Sequence, residues 1–257
     1  MFNTYGQLST AALLHRYGFT EYPHSRHATS SDQAGSFLIN NPFDICNVDV
    51  NMVIEGVRGC LLGDPKARQG VMSARMGRSC VRICSDFQFP PLISQSSSYY
   101  EFNFSGQPQT ELLLLIKLML SSEVEVLRIG EQSGNVTTLS FLATALGWKM
   151  TTKTQKVIPS EEKEDDVEEE VRRWILSSKT VCSCLLHVLD LRERMYPGSR
   201  TLEDDKASLL QLSVIDHSRE FCALVLRVSE REILQKCREW LEKHASGNID
   251  NPRGYCS

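Results

Sequence analysis

Hydrophobic positions along this chain fall mostly into stretches with helical spacing, separated by polar segments that hold much of its Pro, Gly and Ser. Near the start, Ala11, Ala12, Leu13, Leu14 and Tyr17 form a stripe. Ser9 stands where an N-cap belongs, and Gly18 where a left-handed residue ends a helix, so one short helix is predicted at about 10–17. From Tyr22 to Asn41 the chain turns polar, rich in Ser, His, Gly and Asn and bordered by Pro23 and Pro42, which predicts a loop or joint. Over Asp44 to Glu55, "ICNVDVNMVIE" mixes strict alternation with a possible helical continuation, and the pattern leaves strand and helix both open. Residues 94–109, "SQSSSYYEFNFSGQPQ", read as a loop with at most a short strand at "YEFNF".

Helical spacing then dominates. Thr110 is predicted to cap "ELLLLIKLML", and "TTLSFLATALGW" to end at Gly147 with Trp148 behind it. Val167, Val171, Trp174, Ile175, Val181, Cys182, Leu185, Val188 and Leu189 hold the i, i+3/i+4 spacing over about six turns, which predicts one long helix with a single buried face. Its start lies in the acidic run "EEKEDDVEEE", well placed against the positive end of a helix dipole. That run reads as a solvated helix start, with a docking patch for a basic segment as the lesser alternative. Pro197 and Gly198 break the pattern, Thr201 with Asp204 resembles a capping box, and a new stripe begins at Leu202. The last helix carries Phe221, Leu224, Val225, Val228, Ile233, Leu234, Cys237, Trp240 and Leu241, and the polar tail after Gly247 is predicted to fray. No repeat emerges from these helices, so the fold class is mainly α, an irregular bundle rather than a solenoid.

Composition narrows the function classes. With 257 residues and 41% hydrophobic content the chain can bury a core without staples. A net charge of -4 gives no basic field for a phosphate backbone, so no nucleic-acid partner is expected. The most apolar stretch, Leu112 to Leu120, contains Lys117 and falls well short of the ~20 residues a bilayer crossing needs, so no membrane association is expected and the protein should be soluble. Nine cysteines at irregular positions, behind an N-terminus with no apolar signal region, fit a reducing intracellular compartment.

Most catalytic and metal motifs are missing. Cys80 and Cys84 sit at i, i+4 with no second pair in view, and Cys182 and Cys184, near His187, point to different faces of a helix; no metal is expected. There is no G-x-S-x-G elbow and no C-G-S-C stretch. No two glycines lie two residues apart, so G-x-G-x-x-G is absent, and "GEQSGN" is not a P-loop. What remains is "FNTYGQLSTAALLHRYGF" at positions 2–19. From spacing alone Tyr17 and Phe19 are core aromatics behind a Gly-terminated helix. Alternatively, Tyr17 is held at the helix end to face a cleft, and Tyr5, in a "TYG" turn, converges on the same pocket.

This stretch resembles the C-terminal signature of the SET domain in protein-lysine methyltransferases of the Rubisco large-subunit methyltransferase-like group. The likeness is close over 2–21, absent in 22–41 and good from about 42 to 244, where "RTLEDD" and "LRVSEREILQKCREWLE" are similar in character and position to the group's helical substrate-binding domain. It implies residues 1–21 as a small α/β remnant of a SET domain, 22–41 as a polar loop or insertion, 42–245 as an irregular helical substrate-binding domain, and 246–257 as a disordered tail. It also implies S-adenosylmethionine as methyl donor and, as partner, a protein substrate carrying a target lysine. Tyr17 takes the position of the catalytic tyrosine, whose hydroxyl orients amine and methyl group. Tyr5 would line the lysine channel, Phe19 would pack beside cofactor or substrate, and Gly6 and Gly18 would permit the tight backbone.

The departures from the group are equally specific. Its members carry, upstream of the signature, a Gly-rich cofactor loop and an Asn-His pair; here no G-x-G exists and no asparagine is followed by histidine. Met1 falls in the middle of what would be a SET strand. The chain is therefore expected to lack the cofactor-binding part and not to turn over alone, as a truncated isoform, gene-model fragment or relic, with a non-catalytic helical interaction module as the alternative. The expected location is nucleus or cytoplasm, and the chloroplast stays open because a targeting signal of a longer parent would lie upstream.

Overall fold

The computed structural model describes residues 8–20, 41–63, 79–80, 99–122, 126, 164–198, 200–212 and 219–245. Tyr5, Cys84, the helix predicted to end at Gly147, the polar segment ahead of Asn41 and the tail after Gly247 lie outside them. The described elements run α1 (Thr10–Tyr17), β1 (Ile45–Asp49), α2 (Val50–Gly63), β2 (Tyr99–Asn103), α3 (Thr110–Met119), α4 (Glu164–Leu176), α5 (Lys179–Arg194), α6 (Leu202–Gln211) and α7 (Arg219–Ala245). The fold is mainly α, with β1 and β2 paired in a two-stranded sheet. No single helix among the described residues is long and apolar enough to cross a membrane.

The ambiguous segment after Asp44 contains both structures its pattern allows. Cys46 and Val48 are buried and Asn47 is exposed, which is the period of a strand. From Val50 the buried positions become Val53, Ile54, Val57 and Leu61, the period of a helix. The Asp49 carboxylate accepts from Asn51 N–H at 2.7 Å and so satisfies one amide at the helix entry. The short strand allowed at "YEFNF" is present as β2, one residue earlier over Tyr99–Asn103, with Phe102 buried.

Chain contacts divide the molecule into two compact units, each assembled from separated stretches. The first takes Met1–Cys46, Phe102–Gln107 and Glu193–Cys237. Its core joins Leu209 of α6 to Phe221, Cys222, Leu224, Val225 and Val228 of α7, with Leu14, Leu202 and Leu212 packed against them. The predicted capping box is present at the start of α6: Thr201 Oγ1 accepts from Asp204 N–H at 3.1 Å, and Asp204 Oδ2 accepts from Thr201 N–H at 2.8 Å. These bonds hold the Asp204 carboxyl below its ordinary range.

The second unit takes Asn47–Glu101, Pro108–Arg192 and Arg238–Ser257. At its centre α3 buries Leu112 to Ile116, Leu118 and Met119, apolar on every side, and both α2 and α4 pack on it. Thr110 is not the cap of α3, contrary to the sequence expectation. The cap is Gln109, and Thr110 is the first helical residue. Its hydroxyl donates to Glu168 at 2.5 Å and accepts from Arg172 at 3.0 Å, tying α3 to α4, while Gln109 Oε1 accepts from Glu101 N–H at 3.1 Å. A tertiary partner for the hydroxyl has displaced the local capping bond.

The single six-turn helix expected over Val167 to Leu189 is two helices, α4 and α5, bent by 92°. Ser177 and Ser178 cause the break. The Ser177 hydroxyl donates back to Trp174 O at 2.6 Å and Ser178 N–H bonds Ile175 O at 3.1 Å, a three-residue step that closes α4. Cys182 Sγ then donates to the end carbonyl of Leu176, and Cys182 N–H starts α5 on Ser178 O. Ile175 and Cys182 lie two helical turns apart in sequence, so the apolar phase survives the bend and periodicity does not register it.

Within the first unit, Gly106 sits at φ 79°, in a turn where Asn103 N–H bonds Gln107 O at 2.9 Å. A methyl group there would lie 2.5 Å from Cys237 N and 2.7 Å from Lys236 C, both backbone atoms of α7. Lys236 seals the approach, with its Nζ donating to Phe104 O at 3.1 Å and lying 3.7 Å from the Phe104 ring centre. Gly106→Ala is expected to lower unfolding free energy by at least about 1–3 kcal/mol, from backbone strain plus overpacking, read as a lowered urea midpoint at unchanged slope.

Candidate functional site

The tyrosine-bearing helix α1 is built as its sequence dictates. Ser9 Oγ accepts from Ala12 N–H at 3.2 Å, and Gly18, at φ 76°, sends its N–H to Leu14 O at 3.0 Å. Leu13 is buried and Leu14 packs on the α6/α7 core. Tyr17, at the C-terminal end, is 51% exposed, and its ring lies 6.1 Å from that of half-buried Phe19 at a tilt of 33°. Tyr17 is therefore not the core aromatic that spacing alone favours. The stripe of α1 supplies its apolar contact through Leu13 and Leu14, and Tyr17 stands one turn beyond them at the exposed end. Tyr5, the second predicted phenol, lies outside the described residues.

Two contacts fix α1 along α7 within the first unit. The buried Asp44 carboxylate accepts from Thr10 N–H at 2.6 Å, from the Thr10 hydroxyl at 3.0 Å, and from the Ser229 hydroxyl on α7. Beyond the other end of α1, buried Thr20 donates to Cys222 Sγ at 3.8 Å. Ser229 and Cys222 are separated by about 10 Å of helix rise, close to the length of α1 itself. Asn41 adds a bond from its Nδ2 to Leu8 O at 2.9 Å. Tyr17 is thus presented by a short helix clamped near both ends.

A second polar cluster lies on the same unit. Asp205 is fully buried in the first turn of α6 and takes ion pairs from Arg227 and Arg231 of α7. Arg231, 8% exposed, also pairs with Glu193 at 2.5 Å and donates to Arg200 O at 3.0 Å. Burial works against its charge, but the bonds to Asp205 and Glu193 outweigh that and raise its pKa above the ordinary guanidinium value. A cleft of about 300 Å³ opens here, lined by Glu193, Arg194, Tyr196, Gly198, Arg200 and Arg231. Because Arg231 directs its donors to Asp205, Glu193 and the Arg200 carbonyl, it acts as a structural hub joining the end of α5, the following turn, α6 and α7.

Sequence reasoning missed both clusters. Arg227 and Arg231, one turn apart beside the apolar stripe of α7, were the available signal for the second. Asp44 had none, since its partners are 34 and 185 residues away. Among the described residues no group of three or more His, Cys, Asp or Glu is placed to hold a metal ion. Of the cysteines named in the sequence, Cys80, Cys182 and Cys184 are buried and burial raises all three thiols, Cys80 to about 12. The chain matches no protein-family model and no curated protein.

Two substitutions test the clamps. Asp44→Ala should cost about 2–3 kcal/mol of stability through lost charge-assisted hydrogen bonds, and should speed hydrogen exchange at the Leu13 and Leu14 amides more than in α3. Asp205→Asn strands two arginines and should cost about 3–5 kcal/mol in urea unfolding, well above the cost of Glu193→Gln, whose side chain is partly solvated.

Proposed function

We propose that this chain is the tyrosine-bearing C-terminal portion of a SET-type protein-lysine N-methyltransferase, together with its helical substrate-binding domain. The observation that carries the reading is the state of Tyr17: a half-exposed phenol at the end of a Ser9-capped, Gly18-terminated helix, with Phe19 beside it. It lies within the stretch whose sequence resembles the SET signature. A phenol so held suits one task in amine methylation. Its hydroxyl can hydrogen-bond a neutral lysine amine and align the nitrogen for in-line attack, where orientation supplies much of the rate. The buried Asp44 and Thr20 contacts give it the rigid support such alignment needs.

The residues described around Tyr17 do not fit S-adenosylmethionine. His15, Arg16 and Gly18 are exposed, Phe19 is half-buried, and together they make no enclosed donor set for a nucleoside and a sulfonium. The chain also has no G-x-G and no Asn-His pair. No methyl-transfer step is therefore assigned within this chain. Its part is to carry the orienting tyrosine and to hold a protein substrate with the target lysine. The same mismatch favours the second reading, a non-catalytic helical module that binds protein.

Isothermal titration of the chain with S-adenosylmethionine is expected to show no saturable binding, and a methylation assay on cell extract no turnover. Placing a SET core with a Gly-rich loop and Asn-His pair upstream should confer lysine methylation, reduced about 100-fold by Tyr17→Phe if orientation is lost. Saturable cofactor binding and Tyr17-dependent turnover by the chain alone would contradict the expected inactivity. Turnover indifferent to Tyr17→Phe would remove the tyrosine from the site, and capture of one defined protein without any methylation would favour the module.

A further inference from the structure

Within the second unit, α2 and α5 approach each other closely at Gly56. A methyl group on Gly56 would meet Val188 Cγ2 at 2.5 Å and Val188 Cα at 3.1 Å, so the two helix backbones come almost as close as they can. One turn further along α2 is Cys60, and one turn back along α5 is Cys184. Cys60 acts on the Cys184 thiol as a neighbouring group, which places the two side chains beside one another. The pairing Gly56 with Val188 and Cys60 with Cys184 runs in opposite sequence directions, as it does for helices packed antiparallel. Cys184 is fully buried and Cys60 half-buried, so solvent reaches the pair from the Cys60 side.

From this geometry we propose that Cys60 and Cys184 are a redox modification site, closing to a reversible disulfide between α2 and α5 when a small disulfide oxidant such as oxidised glutathione is present. Close helix approach is the condition for it, because a disulfide needs Cα atoms within about 7 Å and converging Cβ vectors. Cys60 loses its proton and its thiolate attacks one sulfur of the small disulfide, expelling one thiolate and forming a mixed disulfide. Cys184 then loses its proton, attacks Cys60 Sγ and expels the second thiolate. Two electrons pass from the protein to the oxidant, which leaves as two thiols. Burial pushes the Cys184 thiol up, so the second step quickens as pH rises.

The test uses the whole reduced chain, incubated with oxidised glutathione in buffer and, separately, in urea, blocked with N-ethylmaleimide and digested without reductant for mass mapping. In buffer, glutathione should appear on Cys60 first, followed by a peptide pair joining Cys60 to Cys184 that dithiothreitol separates. Cys184→Ala should stop at the Cys60 mixed disulfide. In urea the preference for this pair should be lost among the nine cysteines. Recovery of both residues as maleimide adducts in buffer, a Cys60 link to any other cysteine, or equal pairing in buffer and urea would each overturn the proposal. The wild-type mapping stands even if the Cys184→Ala chain does not fold.

Discussion

A single buried carboxylate organises the part of this molecule that carries the tyrosine. Asp44 is removed from water, and an anion there is tolerated only when hydrogen-bond donors replace its hydration. Thr10 supplies two donors and Ser229 a third, and the first of these belongs to the opening turn of α1, where amides lack helical partners. The carboxylate and the helix start therefore satisfy each other. Because Ser229 lies on α7, the same group fastens a short helix, which would be marginal alone, to the longest of the described helices.

What Asp44 does for α1, Asp205 does for the turn after α5 and for α6. Both clusters make α7 the common partner, one through a hydroxyl and the other through two arginines. Buried ionic groups add little net stability over an apolar replacement, but removing one partner strands a charge and is costly. That bears on the proposed role of Tyr17. A phenol that orients an amine must itself be held to a fraction of an ångström, and the exposed end of a short helix meets that demand only if its base is pinned.

Where sequence and structure part, long-range contact is the cause. Thr110 has the residue type of a cap, but Glu168 and Arg172, distant in sequence, take its hydroxyl. The stripe across Ser177 and Ser178 stays in phase, so two helices read as one. Tyr17 fits the spacing of a core residue, yet Leu13 and Leu14 use up the apolar contact available to so short a helix and leave the ring outward.

By itself the sequence determined the mainly helical class, the limits of α1 with its Ser9 and Gly18 ends, the strand at "YEFNF", the capping box of Thr201 and Asp204, and the buried face of α7. Each depends on residues within a few positions of one another, and there local hydrogen bonding and periodicity suffice. Tertiary structure alone decided the exposure of Tyr17, the partners of Asp44 and Asp205, the bend between α4 and α5, and the meeting of Cys60 with Cys184. Most of those outcomes require segments tens to nearly two hundred residues apart to meet, and no local pattern encodes which polar group will find which partner once water is excluded.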